Sequence, residues 1–178
     1  LGEWGEMQRG LAEEIEIAER SDHPLWAALF RLQSAWMLLA AGAFDAAEAL
    51  CSAAIAAGRE GRHGLTQTFG HVLLAAAHVG TGKATQARAA LRAVDERLPA
   101  EGFVVEPIVL PQVAMVRAQV ELAAGGDAAD AARRVLELTA ETGERTLRAH
   151  AHRLLAQLAL RAGKPADAAK AIDAALEE

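Results

Sequence analysis

A short phrase recurs four times along the chain: a glycine, two residues later a turn-filling side chain, and three residues further a small one. Gly42-x-Phe44-x-x-Ala47, Gly82-x-Ala84-x-x-Ala87, Gly126-x-Ala128-x-x-Ala131 and Gly163-x-Pro165-x-x-Ala168 carry it. A weaker copy, Gly2-x-Trp4-x-x-Met7, opens the chain. The glycines stand 40, 40, 44 and 37 residues apart. Self-similarity at a period of 20 to 50 residues marks a repeat architecture. Each unit of such an array buries its apolar face only by stacking on its neighbours, so stability is shared between adjacent repeats.

The stretches between the glycines read as helices. Trp4, Met7, Leu11, Ile15 and Ala18 recur at three- and four-residue spacing, which predicts a leading helix over about 1–20. Ser21 or Asp22 is the expected cap of the next helix, with Pro24 in its first turn. That helix, about 24–41, is apolar nearly all round, so it expects cover on both sides. Its partner runs from Phe44 to about Arg59, and further pairs are expected over 63–81 with 84–98, 111–124 with 127–142, and 145–162 with 165–177. Pro99 is read as following its helix. The proline-rich stretch from Leu98 to Pro111 is read as a longer connection with a short helical turn near 104–110. About nine helices result, a leading one and four pairs at 24–59, 63–98, 103–142 and 145–177, forming a single all-α solenoid over 1–178. Within each phrase the small residue allows close helix approach. Cys51, Leu91, Val135 and Ile172, four positions later, are expected to fill the space beside it.

Composition excludes several function classes. A net charge of −6 argues against a nucleic-acid binder that works through bulk charge, because phosphate contacts need a basic surface. No apolar run reaches the ~18 residues of a membrane span; Leu25 to Ala41 is interrupted by Arg31, Gln33 and Ser34. Cys51 is alone, so no disulfide framework exists and a cytoplasmic setting is expected. Lysine occurs only at 83, 164 and 170, and this arginine bias with abundant Ala and Gly is associated with GC-rich bacterial genomes. The chain begins on Leu1 inside a repeat, which reads as a segment of a longer protein.

The phrase resembles the second half of a tetratricopeptide repeat: the Gly82 copy runs through Leu91 and Val94 to Pro99 at the family spacing, and the Gly42 copy has Phe44, Ala47, Cys51 and Ala54. The resemblance covers nearly the whole chain. It departs from the family in its period, near 40 rather than 34, and in lacking the family's first-helix Trp and Tyr. The longer period is similar to the repeats of bacterial regulators of the MalT/LuxR type and of adenylate-cyclase-associated arms. The resemblance implies an α-α superhelix whose first helices line a concave surface. Projected onto this chain, that surface comprises Leu29, Leu32, Trp36, Phe69, Val72, Val113, Val116, His150, Arg153, Gln157 and Arg161. Two readings of it stay open: an apolar groove with a basic end for an amphipathic or extended peptide, or simple core. The stripe His150, Arg153, Gln157, Arg161 is either a carboxylate or phosphate contact or a solvated face.

No catalytic constellation emerges. Gly80-Thr81-Gly82-Lys83-Ala84-Thr85 is not a phosphate loop, since the first glycine and the hydroxyl that motif needs are Ala77 and Ala84. His71 and His78 lie two helical turns apart and His150 and His152 diverge, so no metal is expected; His71 is expected to be partly buried and hydrogen-bonded. Cys51 has the packing role of a small apolar residue. The expected function is a non-enzymatic protein- or peptide-binding or scaffold module of a larger bacterial regulator, without cofactor. Its partner is a protein, a peptide or another domain of the same chain, and the leading helix offers a route to a homodimer. The alternative is a sensor domain for a small effector.

Overall fold

The computed structural model describes the backbone of residues 4–101, 106–140 and 142–178, and the side chains of these except 99–101 and 106–108. Among the described residues there are nine α-helices and no strand. They are α1 (Trp4–Arg20), α2 (Pro24–Ala40), α3 (Phe44–Glu60), α4 (Gly64–Gly80), α5 (Ala84–Glu101), α6 (Glu106–Ala123), α7 (Ala129–Leu138), α8 (Arg145–Arg161) and α9 (Pro165–Glu177). The fold is all-α: from α1 to α5 and from α6 to α9, consecutive helices pack on one another. Packing divides the chain into two compact units, Leu1–Glu101 and Gly102–Glu178.

The first unit runs on a 20-residue step. Helices α1 to α4 each have 17 residues, and each is followed by a turn of three. The middle residue of every turn is left-handed: Asp22 (φ 54°), Gly42 (76°), Arg62 (55°) and Gly82 (74°). The third turn residue serves both helices. His63 N–H donates to Gly58 O at 2.8 Å, closing α3, while its carbonyl accepts the Gln67 N–H at 3.2 Å, opening α4. Ala43 and Lys83 repeat both bonds, so each turn satisfies a helix end and a helix start together. His23 does the same after α1 and, with no side-chain cap, stands where Ser21 or Asp22 was expected to cap α2. Asp22 is instead spent on the left-handed position. The 40-residue spacing is therefore two steps, and the glycine phrase marks alternate turns because Asp22 and Arg62 occupy the others.

Even-numbered helices α2 and α4 also touch each other, so they form one layer. Between this layer and α3 lies a core of small residues: Ala28, Leu32 and Ala35 of α2, Ala47, Cys51 and Ala54 of α3, and Leu73 and Ala77 of α4. Alanine at these positions lets backbones approach, and larger side chains would be overpacked. Gly80 shows how close the approach is: a Cβ there would lie 2.3 Å from the Phe44 ring. Helix α5 runs through Pro99 to Glu101, further than expected. A proline this near a helix end removes one hydrogen bond from the final turn only.

The second unit is less regular. Helix α6 starts at Glu106 and contains Pro111, so the expected long connection is largely helix; residues 102–105 lie outside the described residues. The left-handed glycine after α6 is Gly125 (φ 76°), not Gly126. Two further residues precede the α7 N-cap, Ala128, and Asp127 Oδ1 accepts the Ala129 N–H at 2.8 Å. The register of the phrase shifts accordingly, and the fully buried small residue is Ala132 rather than Ala131. Helix α7 ends at Leu138, short of the expected 142, where buried Thr139 donates its hydroxyl to Val135 O at 2.7 Å. Gly143 (φ 64°) and Gly163 (φ 69°) set the next two turns. The core repeats the recipe of the first unit: Ala114, Met115, Ala118 and Leu122 of α6 meet Ala132 and Val135 of α7 and Leu147, Ala151 and Leu154 of α8. Ile172 is 46% exposed and does not fill the space expected of it; only Ala168 of α9 is buried.

Candidate functional site

The residues projected onto one inner surface separate by burial. Leu32, Val72, Val113 and Val116 are buried. They lie in the core, the second of the two readings above, and not on an accessible lining. Leu29 and Phe69 are half-buried, and His150, Arg153, Gln157 and Arg161 are exposed.

In the first unit a surface survives this sorting. Trp26, Leu29, Gln33, Trp36 and Ala40 of α2 follow alternating three- and four-residue spacing, and all are partly or fully exposed. The rings are organised rather than scattered. Trp36, 45% exposed, meets Phe69 of α4 edge to face, with centroids 6.0 Å apart and planes at 77°. Trp26, 55% exposed, stacks on Phe30 with centroids also 6.0 Å apart and planes at 29°. Such pairs prefer these geometries and contribute about 0.5–1.5 kcal/mol beyond the area they bury. Trp26 and Phe30 also border a pocket of about 230 Å³ where the end of α1 meets the start of α2, with Ile17 and Ala18 opposite and Glu14 and His23 beside them.

The basic residues of the second unit have another use. Arg161 Nη1 donates to Leu122 O, in the last turn of α6, at 2.9 Å. Arg148 Nη1 donates to Leu136 O, in the last turn of α7, at 3.4 Å, and its Nε to Glu178 Oε1 at 2.6 Å. Arg145 Nη2 donates to Glu177 O, at the end of α9, at 3.2 Å. Three arginines of α8 thus meet the carbonyl ends of three other helices, where orphan acceptors and the helix dipole both favour a cation. Arg161 caps the end of α6 there. Arg153 has no hydrogen bond or ion pair among the described residues. His150, though exposed overall, has a partly desolvated ring; that and Arg153 hold it below its ordinary pKa.

The polar interior of α4 is not foreshadowed by any spacing in the sequence. Gln67 Nε2 donates to Gly58 O at 2.9 Å, a close approach that Gly58 permits, since a Cβ there would lie 3.0 Å from Gln67 Cγ. Lys83 Nζ donates to Glu48 Oε2 at 2.8 Å, and His78 Nδ1 stands 3.5 Å from the same oxygen. The lysine's hydrogen bond holds Glu48 below the usual carboxylate range, and Glu48 raises Lys83 in turn. Burial keeps His78 low despite Glu48, which pulls the other way. The cluster joins α3 to the α4–α5 turn through the Lys83–Glu48 hydrogen bond. His71 is buried, but its Nδ1 has no hydrogen-bond partner among the described residues, which corrects that expectation. Desolvation, then Arg59 and Arg97, lower its pKa. Burial pushes the Cys51 thiol up to about 12, so it carries no thiolate at neutral pH.

Among the described residues no three His, Cys, Asp or Glu side chains converge as a metal site needs, and no helix is long and apolar enough to cross a membrane. No protein-family model and no curated protein sequence matches the chain.

Proposed function

We propose that this chain is a docking module, tetratricopeptide-like in kind, that holds a peptide segment of another protein or domain on the α2–α4 surface of its first unit. The observation that carries the reading is the pair of organised, half-exposed ring contacts, Trp36–Phe69 and Trp26–Phe30. Exposed tryptophans are costly to leave in water and are the residues most enriched at interface hot spots. The resemblance of the glycine phrase supports a role in a larger bacterial regulator, and the lone Cys51 a cytoplasmic setting. The effector-sensor reading is less favoured, because the pocket at α1–α2 falls below the 300–1,000 Å³ of ordinary small-molecule sites.

The test is selection of binding peptides from a random library against the whole chain, followed by titration against Trp36→Ser and Phe69→Ser. Loss of at least about tenfold in affinity, with a cooperative thermal transition retained by Trp36→Ser, is the expected result. Selected peptides that bind both variants as tightly as the wild type sink the reading.

A further inference from the structure

The pocket between α1 and α2 combines three properties. Its size, about 230 Å³, suits a single side chain. One wall presents the stacked rings of Trp26 and Phe30, and the other the aliphatic Ile17 and Ala18 of α1. The helix that carries this second wall is acidic: α1 holds Glu6, Glu13, Glu14, Glu16 and Glu19 against Arg9 and Arg20. Glu6 pairs with Arg9, Glu16 with Arg20 and Glu19 with Arg31. Glu13 and Glu14 are left without an ion pair among the described residues, and Glu14 is the one that borders the pocket.

We propose that this pocket seats an arginine side chain of the docked partner, its stem against Ile17 and Ala18 and its guanidinium over the Trp26–Phe30 rings, on the acidic α1 side that Glu14 borders. An aromatic face attracts a cation through its quadrupole, most strongly for tryptophan. A planar guanidinium stacks on such a face and stays charged at every working pH, while its weak hydration lowers the cost of leaving water. A purely aliphatic side chain would fill the same space without drawing on the ring quadrupoles or the negative field of α1, and an acidic one would oppose that field. That the arginine belongs to a peptide partner rests on the docking reading above; that the pocket takes a guanidinium does not.

The experiment is an NMR titration of the whole isotope-labelled chain with N-acetyl-arginine amide, read at the indole N–H of Trp26 and the amides around it. N-acetyl-citrulline amide, equal in shape but neutral, is the control. Saturable shifts centred on Trp26, with citrulline about tenfold weaker, are expected. Glu14→Gln should weaken arginine binding about threefold and leave citrulline unchanged, and Trp26→Ala should abolish the shifts of the surrounding backbone amides. Glu14 is exposed and Trp26 half-exposed, so both variants retain the fold. Equal binding of arginine and citrulline, indifference to Glu14→Gln, or shifts centred elsewhere overturn the proposal. If selected peptides bind through Trp36 and Phe69 while the arginine probe fails, the pocket inference falls alone. If the probe binds and no peptide does, the pocket stands and the docking reading falls.

Discussion

The two compact units solve one packing problem with the same core and opposite surfaces. Both pack alanines from three consecutive helices against a few Leu, Val, Met or Cys side chains. Around that core the first unit keeps a strict 20-residue step and leaves organised aromatic rings at its surface. In the second unit the step is broken after α6, and three arginines of α8 are turned onto the carbonyl ends of α6, α7 and α9. A charged face can therefore be part of what holds helices together. Exposure does not by itself separate binding residues from structural ones; what each side chain touches does.

The sharpest way to challenge the shared core is a matched truncation. Leu32→Ala in the first unit and Leu154→Ala in the second each remove a buried leucine from equivalent clusters. Each should cost about 2–5 kcal/mol in urea unfolding followed by circular dichroism. A loss below about 1 kcal/mol at either site would show that its cluster is looser than its partner.

The contrast between the surfaces is tested by substituting each. Arg148→Met removes two charge-assisted contacts and should destabilise by about 1–3 kcal/mol. Trp36→Ser loses the edge-to-face contact with Phe69 and should cost about 0.5–1.5 kcal/mol, less than Arg148→Met. Equal effects would erase the distinction drawn above.

The 20-residue step predicts a smaller pair of opposite changes. Arg62 holds a left-handed conformation that costs an L-residue about 1–2 kcal/mol, so Arg62→Gly should stabilise by about 0.5–1 kcal/mol after the entropy of glycine is set against it. Gly42→Ala should destabilise by about 1 kcal/mol. Thermal unfolding of both variants checks the signs, and agreement in sign between them would contradict the equivalence of the two turns.

Acid should act through the buried imidazoles of α4. His71 and His78 are held below their ordinary pKa, His71 by burial with Arg59 and Arg97, His78 by burial and Lys83 against the opposing pull of Glu48. The unfolded chain then binds protons at a higher pH than the folded one. Stability is complete above about pH 6.5 and falls as the pH drops from there toward the folded-state values. Urea midpoints from pH 7.5 to 5 should fall accordingly, and His71→Leu should flatten the slope. An unchanged slope would remove His71 from this account.

Much of the helix pattern was legible beforehand. Trp4, Pro24, Phe44, Ala84 and Pro165 stand at or beside helix starts where the phrase and the caps put them, because turns of three residues depend on local backbone preference. The errors fall where that local rule is ambiguous. Gly125 and Gly126 are adjacent, and only the chain's path selects which becomes left-handed. Asp22 and Arg62 carry no glycine signature although they do a glycine's work. Pro99 and Pro111 read as breaks but lie within helices. The candidate site was legible only in part: three- and four-residue spacing puts Trp36 and Val72 alike on a face, yet the first is 45% exposed and the second is buried.

What the amino-acid order settled is the sequence of helices and turns, since glycine, proline and apolar periodicity act over a few neighbouring residues. What it left to the folded chain is the meaning of each surface. Whether a leucine lines a groove or fills a core, and whether an arginine meets a ligand or a helix end, depends on residues 30 to 40 positions away, as Arg161 with Leu122 and Lys83 with Glu48 show. Those partners are chosen by packing, which no local pattern encodes.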